Sequence, residues 1–212
     1  MSRLPNIVRQ HIAGLRLLLI FTVITGIIYP AFMYGVAQAA FNKQANGSMV
    51  TFHGRVVGSS LLCQEFVDAK GNPLAQYFQP RPSEAIPAPA PKGDYGCDPT
   101  YSAASNLGPN NPDLVTAIKQ RQQQIAKFDH VSISQIPPDA VTASGSGLDP
   151  DISPQNAAIQ VNRVAAARHI SPAAVRALVA QNTKGRTLGF LGEPRVNVLT
   201  LNIALDRKYP MP

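Results

Sequence analysis

The chain has no tryptophan, only two cysteines, and few charges (15% of its 212 residues), and no acidic residue precedes Glu65. Each shortage closes off a class of function. Cys63 and Cys97, with four scattered histidines (His11, His53, His130, His169), do not make a zinc site, which takes clustered ligands. The formal net charge is +7, but no run of cations is interleaved with aromatics as a nucleic-acid binder requires. No glycine-rich loop ending in Gly-Lys-Ser/Thr is present to cradle phosphates. Also missing are the Asp-Lys-Thr-Gly run around a phosphorylated aspartate and the Thr-Val-Gly-Tyr-Gly run of a K⁺ filter. The Ser-x-x-Lys and Gly-x-Ser-x-Gly signatures of serine hydrolases are absent too.

What the chain does have is one long apolar run. Leu17 to Phe41 carries no charge, and nothing after Lys43 repeats it. As helix it rises about 37 Å, enough to cross a hydrocarbon core of about 30 Å. Arg3, Arg9 and Arg16 precede it, and a positive flank is held in the cytoplasm. The expected layout is a cytoplasmic tail (1–16), a transmembrane helix (17–41) and a single extracytoplasmic domain (42–212). The chain is then a single-pass protein of the inner or plasma membrane, in contact with lipid. Ala37-Gln38-Ala39 also fits a signal-cleavage site, but the length of the run, with Tyr29, Pro30 and Tyr34 inside it, favours a retained anchor. Small residues recur at helical spacing, Thr22 and Gly26 on one row and Ala31, Gly35 and Ala39 on another. Such rows let helices approach closely. Pro30 kinks the helix unless a neighbour satisfies the freed carbonyl.

The remainder is the size of one ordinary domain. Val50–Val57 reads as a strand leaving the membrane, and Lys70-Gly71-Asn72-Pro73 as a hairpin turn. The prolines of Pro80-Arg81-Pro82-Ser83 and Pro87–Pro91 forbid helix or central strand and predict a stiff, exposed excursion. Asn111-Pro112, Ser153-Pro154 and Ser171-Pro172 each pair an N-cap with a proline at the first helical position. The helices they open carry apolar faces: Leu114, Ile118, Ile125 and Phe128; Ala157, Val161 and Val164; Val175, Leu178 and Val179. Val196–Leu205 alternates briefly and then reads as helix. The class is α+β behind one N-terminal membrane helix. Outside the membrane a Cys63–Cys97 bridge is favoured over two free thiols.

Two features invite a functional reading. Ser144-Gly145-Ser146-Gly147-Leu148-Asp149 could nest an ion, though a tight loop before the Ser153 helix is the plainer expectation. Arg163, Arg168, Arg176, Lys184 and Arg186 follow one another with no acid between Asp151 and Glu193. They could form a basic face for an anionic ligand.

An ordered series of motifs then resembles the KdpC family, the C subunit of bacterial Kdp potassium-transporting ATPases. It runs Tyr77-Phe78-x-x-Arg81-Pro82-Ser83, Ser105-Asn106-Leu107-Gly108, Ser144 with Gly147-Leu148-Asp149, then Gln155, Gln160, Arg163 and Arg168, and finally Gly192, Pro194, Asn197, Asn202 and Asp206. Cys63 and Cys97 depart from the family's pattern. The resemblance implies a non-catalytic accessory subunit of a high-affinity potassium pump. Its partners would be a channel-like K⁺-binding subunit, a P-type ATPase subunit and a small single-span subunit. It also implies a catalytic chaperone that raises the ATPase subunit's affinity for ATP, and ATP enters as a cofactor only on that account. A different class of function remains beside it, a membrane-anchored extracytoplasmic binding module for an anionic ligand using the Arg163–Arg186 face.

Overall fold

A computed structural model describes residues 5–86 and 96–211. The Pro87–Pro91 run lies outside the described residues. The chain divides into two compact units, the first ending at Ser48 and the second beginning at Met49.

The first unit is a helical rod. Helix α1 (Asn6–Val23) passes through a π-helical turn (Ile24–Ile28) into α2 (Tyr29–Ala40), followed by one turn of α3 (Asn42–Ala45). Asn6–Ala40 is long and apolar enough to cross a membrane. No residue of α1 or α2 is buried within the unit. The helix begins before Leu17, at Asn6, so Arg9 and Arg16 sit on it. Pro30 has no N–H to give Gly26 and its ring crowds that carbonyl, and the wider π turn just before it absorbs the mismatch. Past the end of α2, the Gln38 side chain accepts from the amides of Asn42 and Asn46, at 2.8 and 3.1 Å.

The second unit opens with an antiparallel hairpin, β1 (Met49–Phe52) and β2 (Arg55–Ser59). The segment Val50–Val57 is therefore two strands rather than the expected one. His53 and Gly54 both take positive φ, +49° and +76°, and that pair forms a tight hairpin turn. A turn around Lys70–Pro73 forms as expected, with the Asp68 carboxylate accepting from the backbone N–H groups of Lys70 and Asn72. These bonds, led by the side-chain bond from Asn72, hold the Asp68 carboxyl below its usual value.

Four longer helices follow: α4 (Pro112–Asp129), α6 (Pro154–Ala167), α7 (Pro172–Asn182) and α8 (Val198–Lys208), with a short α5 (Pro138–Val141) between the first two. Asn111, Ser153 and Ser171 cap α4, α6 and α7 through their side chains, as their spacing predicts. Strands β3 (Asp151–Ile152), β4 (Thr183–Lys184) and β5 (Arg195–Asn197) make a small antiparallel sheet in the order β3-β5-β4. The ambiguous tail resolves into both readings. Arg195–Asn197 is strand, and Asn197 then caps α8 by accepting from the Thr200 N–H. The core forms where α6, α7, α8 and β5 meet, around Val161, Val164, Val175, Val196, Leu201 and Leu205, with Phe78 buried among them.

Candidate functional site

Phe78 enters that core from a segment with no secondary structure, Ala75–Ser83, and this strap gathers most of the motif residues. A buried, non-helical backbone must find hydrogen-bond partners or suffer an uncompensated loss of water. Side chains from the helices beneath supply them. The Phe78 N–H donates to Asn202 Oδ1 and its carbonyl accepts from Asn202 Nδ2, both at 2.9 Å. One residue on, the Gln79 N–H donates to Gln160 Oε1 at 2.7 Å, and Gln160 Nε2 returns a bond to the Gln79 carbonyl at 3.2 Å. Each amide stands in for one rung of a missing strand.

Two buried arginines bind the carbonyls that remain. Arg163 of α6 donates to the carbonyls of Ala75 and Tyr77 at 2.7 and 2.8 Å, and lies over the Phe128 ring. Its Nε is 2.7 Å from Asp129 at the end of α4. Both members of that pair are almost wholly out of water, with side chains 4% and 5% exposed. Burial pushes the Asp129 carboxyl above the usual carboxylate range, against the pull of Arg163. Arg168 donates to the carbonyls of Gln76 and Tyr209 at 2.7 and 3.0 Å, and pairs with Asp206 at 2.6 Å. The Tyr77 hydroxyl donates to the other Asp206 oxygen at 3.2 Å. Burial, then the Asp206 charge, raises the Tyr77 phenol above its ordinary value.

The strap's far end is fixed to the Ser144–Asp149 loop. Arg81 pairs with Asp149 at 2.8 Å and donates to the Thr142 carbonyl at 3.3 Å, while its buried Nε has no partner among the described residues. Ser83 Oγ donates to the Gly147 carbonyl at 2.6 Å and accepts from the Cys97 N–H at 2.8 Å. Gly147 has φ +72°, and a Cβ there would sit 2.6 Å from the Ala103 carbonyl oxygen, so only glycine fits. Cys63 and Cys97 are joined by a disulfide beside this junction. The segment Pro80–Ser83 is thus half-buried and bonded, where an exposed excursion was expected, because Arg81 and Ser83 bind it down.

The motif residues do not all meet. Tyr77, Phe78, Arg81, Pro82, Ser83, Ser144, Gly147, Leu148, Asp149, Arg163, Arg168, Asn202 and Asp206 belong to or touch the strap and its loop. Gln155 faces solvent, and Ser105, Asn106 and Gly108 lie in an exposed stretch with Leu107 half-buried. Gly192 and Pro194 lie in the β4–β5 connection, and Asn197 serves as a cap. In the first unit, a Cβ added at Gly26 or Gly35 would meet nothing, so both are open to a neighbour. Asp129, Asn156 and Gln79 complete the network and escaped the sequence reading, since nothing local marks them. The run of cations does not make a basic face; three of its five members are held in ion pairs. Arg163 and Arg168 are buried and Arg186 pairs with Glu193, leaving Arg176 and Lys184 exposed on different elements. A cleft of about 300 Å³ opens beside the strap, lined in part by Glu65, Pro80, Arg81, Arg121, Phe128 and Gln160.

A family model described as the c chain of K⁺-transporting ATPase matches residues 11–207. The potassium-transporting ATPase KdpC subunit of Kineococcus radiotolerans is 49% identical over 98% of this chain and 98% of its own length. That of Sorangium cellulosum is 52% identical over 91% and 95%, and that of Mycobacterium tuberculosis 48% over 94% and 98%. With that likeness running from the apolar helix through the strap to α8, the chain belongs to the KdpC family of potassium-transporting ATPase subunits.

Proposed function

We propose that this chain is a non-catalytic subunit of a potassium pump, a docking and stabilising part rather than a reacting one. The observation that carries this reading is the use made of the motif residues. Arg163, Arg168, Asn202, Asp206 and Arg81 are engaged with one another and with the strap backbone, so they build a shape. The apolar helix crosses the membrane with its N-terminus in the cytoplasm, and residues 42–212 are extracytoplasmic. Thr22, Gly26, Pro30, Ala31, Gly35 and Ala39 pack against a neighbouring membrane helix. The second unit covers the ion entrance of the channel-like subunit. The P-type ATPase subunit and the small single-span subunit complete the complex. In this topology the bulk of the chain never meets cytoplasmic ATP, so any effect on ATP affinity acts through conformational coupling.

Co-purification in mild detergent tests the reading. The chain should leave the membrane with a P-type ATPase and a multi-span protein in fixed ratio, and elution alone would overturn it. Labelling of a probe cysteine at exposed Lys119 tests the topology. Reaction from the outside is expected, and reaction from the cytoplasm alone would refute the orientation.

A further inference from the structure

The connection between β4 and β5 inverts the usual arrangement of a small domain. Thr187 and Leu191 exchange two backbone hydrogen bonds, at 2.8 and 2.9 Å, and close a tip of three residues, Leu188-Gly189-Phe190. Leu188 is 80% exposed, Phe190 69% and Leu191 49%. Leu188 and Phe190 are the most exposed large apolar side chains among the described residues of the second unit. Single exposed apolar residues are ordinary, but three grouped on one protruding tip mark a contact surface.

The tip is also held in shape. Arg186 Nη2 bridges both Glu193 carboxylate oxygens, at 2.9 and 2.7 Å, across its base. Below that, Thr183 pairs with Val196 and Lys184 with Arg195, and Val196 is wholly buried. Leu188 sits at φ +55°, a left-handed conformation that is strained for a leucine and nearly free for a glycine. A branched side chain at such a position, projecting into water, points to a use for that side chain.

Two partners could meet such a tip, a bilayer or a protein pocket. Anionic headgroups call for a free basic collar. Here the flanking arginines are occupied, Arg186 by Glu193 and Arg195 by Asp151 at 3.1 Å, which leaves Lys184. A rigid, strained wedge gains little from fluid lipid and much from a fitted cavity, because its ordering cost is met in advance. We infer that Leu188, Phe190 and Leu191 form a wedge that seats the second unit in an apolar pocket on the extracytoplasmic face of a membrane-embedded partner subunit. This rests on the pump-subunit reading above.

The test uses the full chain co-expressed with the other pump subunits and recovered by its own tag in mild detergent. Replacing Leu188, Phe190 and Leu191 together by serine should lower partner recovery about tenfold or more. Leu188→Gly separates docking from folding. It relieves the backbone while removing the side chain, so thermal stability should hold or rise while recovery falls. A merely structural role would move both in the same direction. A photo-crosslinking residue in place of Phe190 should capture a membrane-embedded subunit. Capture of lipid alone or of a second copy of this chain overturns the inference, as does undiminished recovery of the triple variant. If the unmodified chain recovers no partner, the pump-subunit reading itself has failed. If it does and the triple variant does equally, only the wedge has.

Discussion

The strap at residues 75–83 and the tip at 187–191 depart from ordinary protein surfaces in opposite ways. The strap places cations, amides and carboxylates inside, where each must be matched. The tip places leucines and a phenylalanine outside, largely uncovered by the other described residues. Buried polar networks are costly to leave half-made, so they fix one arrangement of the chain against close competitors. Exposed apolar clusters gain nothing within the monomer, so their return must come from another molecule. The first region specifies the fold, and the second faces a partner.

Substitutions can sharpen or break that contrast. Arg163→Met should destabilise the second unit most, by about 3–5 kcal/mol, because Asp129 is left buried and unpaired. Thermal or denaturant unfolding of the solubilised chain measures it. If Arg163→Met left stability unchanged but abolished partner recovery, the strap would be a contact site and the contrast would fail. Replacing Cys63 and Cys97 by alanine should cost about 3–4 kcal/mol by releasing the loop they close. Unfolding midpoints with and without reductant check this, and the variant should no longer respond to reductant. Asn202→Ala should cost about 2–3 kcal/mol, since the buried Phe78 N–H and carbonyl both lose the side-chain amide that pairs them.

Tyr77→Phe should be milder, about 1 kcal/mol for the bond to Asp206. It also carries a pH signature. The folded state raises the Tyr77 phenol and so favours its protonated form. The stability it contributes is full below the ordinary phenol value of about 10 and is lost as pH rises through the higher folded value. The gap between wild type and Tyr77→Phe should therefore narrow above about pH 10, which unfolding curves across that range would show. The smallest effect on stability, a neutral or slightly positive one, belongs to Leu188→Gly.

The helices of the second unit were legible because their signals are local. Asn111, Ser153 and Ser171 stand next to prolines that start each helix, and the apolar spacing of α6 and α7 names the residues that are buried. The hairpin at 49–59 read as one strand because β-branched residues run on either side of His53-Gly54, and a histidine with positive φ leaves no mark in composition. The strap was opaque for a different reason. Its partners lie far along the chain, Asn202 at 124 positions from Phe78 and Gln160 at 81 from Gln79, and proline density alone suggested exposure. Arg163 and Arg168 looked like a basic face for the same reason, since their carboxylates come from α4 and α8. The motif series identified the family, and the structure shows what those residues hold.

The π turn in the first unit has a consequence for the two rows of small residues. In an uninterrupted α-helix, Gly26 and Ala31 would be out of phase by well over a quarter turn, since five steps overshoot one revolution of 3.6. Here Tyr29 donates to the Ile24 carbonyl five residues back, so one revolution takes up an extra residue. That slip reduces the offset between Gly26 and Ala31 towards that of an ordinary four-residue step. Pro30, which at first reads as a break in the helix, thus sits where the two rows of small residues are drawn nearer in phase.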